Sequence, residues 1–214
     1  MEQEAMGPHG LALMAYHRGD RDATLLIRRD DGQETPMPVG FFFRRSPDIP
    51  EIEKMALDLC SGHVLDIGAG TGVHSLELQA RGLELTAVDI CPEAVKIMIE
   101  CGVIDARLVD IFDFPGGSFN TLLILGHGIG VSGDLAGLDR FLIHSHTLIK
   151  SEGCLLLDSM DVRETDDAVH LAYHERNRLA GKYFGISELV RDQRIAAGRR
   201  GFDDPYSEEF MVGR

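Results

Sequence analysis

A doubly wound α/β fold built on a mostly parallel sheet is the architecture this sequence predicts, and three observations carry it. From His63 onward, short apolar runs alternate with stretches of helical period, the pattern of a parallel sheet covered by helices on both faces. One of these runs, Val64-Leu-Asp-Ile, passes straight into a glycine-spaced turn, Gly68-Ala-Gly-Thr-Gly72. The next closes on an acid, Asp89, 23 residues beyond Asp66; ligands of open α/β sheets lie at such strand ends.

Taken in order, the elements divide the chain of 214 residues into three parts of one domain. Residues 1–60 read as a cap. Leu11 to Arg18 suggests a short helix ending at Gly19, and Thr24-Leu-Leu-Ile-Arg forms the first arm of a hairpin that turns at Asp31-Gly32. The second arm, up to Phe43, is weakened by Pro36 and Pro38, which cannot donate to a ladder. Pro47 and Pro50 precede a helix over about Glu51–Cys60. Residues 61–160 form the core, with strands expected at His63–Ile67, Glu84–Asp89, Ala106–Val109, Thr121–Leu125 and Cys154–Asp158. Helices lie between them at about Val73–Arg81, Pro92–Cys101 and Leu135–Ile149. In the last of these, Leu138, Phe141, Leu142, Ser145, Leu148 and Ile149 recur at helical spacing, and Gly82 and Gly102 stand where helix-ending glycines belong. Residues 161–214 extend the same domain. No internal repeat or low-complexity segment interrupts it.

Composition narrows the functional classes. Hydrophobic residues make up 44% of the chain, enough for one well-cored domain. No uncharged apolar run approaches the roughly 20 residues that span a bilayer, and Met1-Glu-Gln-Glu carries acid where a signal peptide carries base, so a soluble, cytoplasmic protein without membrane contact is expected. The formal net charge of −14 disfavours nucleic acid, whose binding depends on neutralising phosphates. Arg191, Arg194, Arg199 and Arg200 run against that trend and read as a solvated helix face. Cys60, Cys91, Cys101 and Cys154 show no Cys-x-x-Cys spacing and are expected to be reduced thiols. His170 and His174 have a chelating spacing but no third ligand in view, so no metal is expected.

The chemistry lies at the strand ends. Glycines at 68, 70 and 72 let a ligand approach the backbone, and the helix that follows offers unpaired N–H groups. Asp89 is placed to take ribose hydroxyls. A nicotinamide dinucleotide would want its third glycine at position 73, where the chain has Val73. Asp66 is a poor neighbour for a pyrophosphate and a good one for an ammonium. An NAD(P)-dependent oxidoreductase is therefore disfavoured.

Val64–Gly72, then Asp89, then Leu108-Val-Asp110-Ile-Phe-Asp113 together resemble the motif series of the class I, Rossmann-like, S-adenosylmethionine (SAM)-dependent methyltransferases, over roughly His63 to Asp158. The resemblance implies SAM as cofactor and S-adenosylhomocysteine (SAH) as product. It implies that Asp66, Gly68, Ala69, Gly70 and Gly72 face the methionine part of the donor. Asp89 would hold the ribose with Ile90 beside the adenine, and Asp110 would lie near the adenine amino group with Ile111 packed on the ring. Asp110 could equally be a helix N-cap. Leu125 and Gly126 open the fourth motif, Phe119-Asn-Thr-Leu-Leu-Ile-Leu-Gly-His-Gly-Ile-Gly130. This lacks the Pro-Pro-aromatic clamp of members acting on planar nitrogens and is closer to the loop of small-molecule members.

His127 in that loop is the candidate to face the acceptor, as general base or orienter; a histidine simply bonded into a tight loop is the alternative. Phe42-Phe43-Arg44 resembles an aromatic-Arg segment that some members fold over the donor. Arg44 could then pair with the SAM carboxylate, or it could be an exposed residue following a strand. Tyr16 could line the acceptor pocket. The family completes its sheet with a helix and an antiparallel strand pair. Here only Glu209-Phe-Met-Val-Gly213 resembles a strand, so those strands are expected to be reduced or absent. The expected function is methyl transfer to a small-molecule acceptor, with a homodimer compatible with it; the alternative is a non-catalytic SAM-binding protein that works through a partner.

Overall fold

The computed structural model describes residues 6–29, 31–133, 135–159, 161 and 163–181, together with the backbone of 209–213. The arginines at 191, 194, 199 and 200 lie outside the described residues. The cap begins with α1 (Gly7–His17) and a hairpin of β1 (Thr24–Arg28) and β2 (Glu34–Pro38). Thr24 pairs with Pro38 and Arg28 with Glu34. The second arm stops at Pro38, because Val39–Phe43 winds into a 3-10 turn, and α2 (Glu51–Leu59) follows.

The main body alternates β3 (His63–Ile67), α3 (Val73–Ala80), β4 (Glu84–Asp89), α4 (Pro92–Cys101), β5 (Ala106–Leu108), β6 (Phe119–Ile124), α5 (Leu135–Leu148) and β7 (Ile149–Ser159). Then come α6 (Ala168–Leu179) and β8 (Glu209–Gly213). Among the described residues the large sheet has the order β5-β4-β3-β6-β7-β8, parallel except for β8, which runs antiparallel to β7. One antiparallel strand is therefore present at the segment that looked most strand-like in this part of the chain. β7 also starts five residues earlier than expected, directly where α5 stops. Its first turn-free residues, Lys150–Glu152, are exposed and polar, so no apolar alternation marks them as strand.

Alternation along the strands builds two core layers, because successive side chains leave a strand on opposite faces. Val64, Leu123 and Leu156 pack with Leu78 of α3 and Met98 of α4. Leu65, Ile67, Leu122 and Ile124 pack with Phe141 and Leu148 of α5. β3 is buried on both faces, as a central parallel strand must be. A third cluster joins cap to body: Ala12, Leu13 and Met14 of α1 and Val39 bury Cys91, Ala94 and Ile97 at the outer face of α4. The cap is thus fixed to the sheet layer through α4.

β3 lies at the centre of the parallel order, with β4 and β5 added on one side and β6 and β7 on the other. The chain reverses its direction of growth there, which opens a crevice at the carboxyl ends of β3 and β6. No helix among the described residues is long and apolar enough to cross a membrane.

Candidate active site

The crevice begins with the turn after β3. Gly68 and Gly70 adopt φ of 68° and 57°, conformations that side chains other than glycine rarely tolerate. A Cβ added at Gly70 would meet nothing within 4 Å, and one at Gly68 only Val131 Cγ1 at 3.9 Å. Both glycines therefore border open space. Gly72 differs, since a Cβ there would strike Met98 Cγ at 2.9 Å and Val103 Cγ2 at 3.0 Å. Its glycine serves the packing of α3 on α4, and it is not among the residues lining the cleft.

The turn is pinned from β4. Gly68 N and Ala69 N donate to Val88 O at 2.9 and 3.1 Å. Gly70 N donates to Asp89 Oδ2 and Cys91 N to Asp89 Oδ1, both at 2.8 Å. Ile90 N–H also bonds this carboxyl, and Asp89 lines the cleft. Burial pushes the Asp89 carboxyl above its ordinary value, while those N–H groups pull it back down.

The cleft encloses about 300 Å³. Asp89, Ile90, Val109, Asp110 and Ile111 line it below β4 and β5, and Leu125, Gly126 and His127 line it below β6. Met6, His9, Phe41 and Phe42 of the cap reach over it. His9 meets Phe42 edge-on at 5.0 Å, and Phe41 meets Phe42 edge-on at 5.6 Å. Thr71 Oγ1 donates to the Phe42 carbonyl, fastening the cap segment to the glycine turn. Asp110 has two surroundings. It accepts from Phe112 N at 3.0 Å as the N-cap of a 3-10 turn, and it lines the cleft.

Like Gly72, two more expected residues sit elsewhere. Asp66 does not line the cleft: it leaves β3 on the same face as Val64, under α3, where it is 1% exposed and accepts from Ser75 Oγ at 2.6 Å. Burial pushes its carboxyl up, against the opposing pull of His74 and Ser75. A carboxylate so engaged supports the turn from behind. Tyr16 also lies outside the lining; it stacks on Phe43 at 4.7 Å beneath the Arg21 guanidinium.

Three further residues carry the geometry without having been singled out. Asp158, 1% exposed at the end of β7, accepts from Gly126 N at 3.0 Å and His127 N at 2.9 Å. These bonds hold His127 at φ 60°, left-handed and outside the usual range of a side-chain-bearing residue. Glu53 of α2 accepts from Arg44 Nη2 and pairs with His74 Nε2, each at 2.7 Å. Arg44 and His74 both line the cleft, and the Arg44 guanidinium lies 3.7 Å from the Phe41 ring centroid. An acid near the end of an apolar run was a legible signal for Asp158, whereas Glu53 on an amphipathic helix carried none.

The four cysteines are free, and burial pushes the Cys60 thiol up to about 12 and Cys91 up to about 11, which keeps both protonated and unreactive. His170 and His174 lie on α6, and no group of three or more metal-ligating side chains occurs among the described residues.

Residues 65–157 match the family model described as a methyltransferase domain. The chain also superimposes on a SAM-dependent methyltransferase from Bacteroides fragilis, solved in complex with SAH. The TM-score is 0.70 and the identity 34%, over 77% of this chain and 70% of that one. The chain belongs to the SAM-dependent methyltransferases. Among curated relatives, a ubiquinone biosynthesis O-methyltransferase of Xanthomonas euvesicatoria is 36% identical over 74 residues. An uncharacterised methyltransferase of Mycobacterium tuberculosis is 38% identical over 72. The matched stretch spans about a third of the length of these curated relatives, 31% and 30% respectively.

SAM is the cofactor of the family, and the cleft suits it. Glycines with no Cβ border open space, and the carboxylate of Asp89 and the apolar side chains of Ile90 and Ile111 line the same cleft.

Proposed function

We propose that this methyltransferase acts on a small molecule held between the Leu125–Val131 loop and the cap. One observation carries the reading: the cleft runs without a break from Asp89 and Asp110 to His127, and Met6, His9, Phe41 and Phe42 roof it. In the donor half, Asp89 would hold the ribose, Ile90 and Ile111 the adenine faces, Asp110 the adenine edge, and the Gly68–Gly70 turn the methionine portion. The bound donor supplies a methyl group on a positively charged sulfur, so an acceptor lone pair in line with that bond takes the carbon and leaves SAH.

What remains for the protein is to position and to exclude water. The aromatic roof does the second. The Gly126–Gly130 loop, set by Asp158, does the first and brings His127 to the acceptor face. There the imidazole orients an acceptor hydroxyl or amine and takes its proton. A cleft of this size under an aromatic roof favours a small acceptor over a polymer segment, and the charge of −14 disfavours nucleic acid. A cytoplasmic location belongs to the same proposal.

The test is a screen of small metabolites scored by SAH release, run beside tRNA, DNA and protein extracts. Turnover is expected with members of the metabolite set; turnover confined to a macromolecular fraction would refute the assignment.

A further inference from the structure

Among the described residues, Glu53 is the most deeply buried acid of any ion pair. It is 1% exposed, and its two oxygens bond Arg44 and His74, one each. Acids are rarely buried so fully unless paired. Here both partners line the cleft, with Thr71 and Val73 where α3 begins. Arg44 and a protonated His74 bring two cationic side chains to the cleft lining, with the carboxyls of Glu53 and Asp66 behind them. A neutral His74 leaves the Arg44 guanidinium as the cation of this cluster.

We propose that Glu53 is a positioning residue that aims Arg44 and His74, as a paired cation, at the carboxylate of the donor's amino-acid portion. The inference rests on reading the cleft as the donor site and adds to it a charge-selective end. Arg44 is restrained from two sides, by Glu53 and by the Phe41 ring, and a guanidinium so held forms charge-assisted bonds with little further ordering. His74 is surrounded by Glu53 from α2, Asp66 from β3 and Arg44 from the segment before α2. Burial lowers its basicity, but the bond to Glu53 and the charges of Asp66 and Glu53 outweigh burial and Arg44, so its titration moves upward. Glu53 moves downward in the same cluster, since the bonds and charges of His74 and Arg44 outweigh its own burial. The positive charge on His74 therefore persists to higher pH than that of a free imidazole and is lost as pH rises through its titration.

The experiment compares SAM with decarboxylated SAM, which lacks the carboxylate and keeps everything else, by calorimetric titration of the full chain. Wild type should prefer SAM by about 10- to 100-fold, the range for charge-assisted bonds. In Glu53→Gln that preference should shrink about tenfold through loss of SAM affinity, with decarboxylated SAM bound as in wild type. Retained binding of the latter shows the adenosine half to be folded. His74→Gln and Arg44→Lys carry the same comparison if Glu53→Gln does not fold.

A pH series separates positioning from scaffolding: SAM affinity should weaken with rising pH in wild type, and this dependence should vanish in His74→Gln. Equal loss of both ligands in the variants, or no loss of either, would overturn the role of Glu53. Wild type that binds SAM without preference would overturn the inference and leave the donor site standing, whereas wild type that binds neither compound would remove both.

Discussion

Replacing Asp89 by alanine is expected to weaken SAH binding by about 1.5–3 kcal/mol, roughly 10- to 150-fold, the cost of losing charged hydrogen bonds to two ribose hydroxyls. Stability is expected to fall as well, by about 1–3 kcal/mol. Asp89 is the acceptor for both Gly70 N and Cys91 N, and its removal leaves two backbone donors at a nearly buried site without a partner. The two losses share a cause: the carboxylate that would bind the ribose also shapes the turn beneath it. Calorimetry with SAH and a denaturant titration measure them separately. Wild-type affinity in the variant would mean that the ribose lies elsewhere.

Asp158→Ala should act on the other half of the cleft. Its carboxylate holds Gly126 and His127 by their backbone N–H groups, and these bonds help to keep the histidine in a left-handed conformation that costs free energy. Once released, the loop relaxes by an ångström or so, enough to cost about 100-fold in turnover when a reacting group is misplaced. SAH affinity should stay within about fivefold, because Asp89 and the glycine turn are untouched. Asp158→Asn, which keeps one acceptor oxygen, should recover part of the rate. Steady-state kinetics on an acceptor identified by the metabolite screen provides the check; an unchanged turnover in the alanine variant would detach the loop geometry from catalysis.

Much of this site could be read before any coordinates. β3, β4 and α4 have the expected bounds because each is closed by an unambiguous signal: the glycine turn after Ile67, the acid at Asp89, and Pro92 and Gly102 at the two ends of the helix. Asp89, Ile90, Asp110, Ile111 and His127 reach one cleft because all stand just beyond strand ends, and a parallel sheet gathers such positions on one edge. Asp66 was misplaced by one step of strand alternation, since sequence proximity to the glycines does not say which face of β3 it leaves. Tyr16 was misplaced because a helix with few apolar residues does not declare its orientation. Glu53, His74 and Asp158 could not be assembled beforehand, because their partners lie 9 to 32 positions away and only the fold brings them together.

The half of the cleft formed by Asp89, Asp110 and the Gly68–Gly70 turn should be a complete donor site. Calorimetric titration of the wild-type chain with SAH measures this. A complete site gives a dissociation constant in the low-micromolar range or tighter, about −8 kcal/mol at 1 μM. Folded protein that releases no heat and shows no thermal shift at millimolar SAH would contradict it.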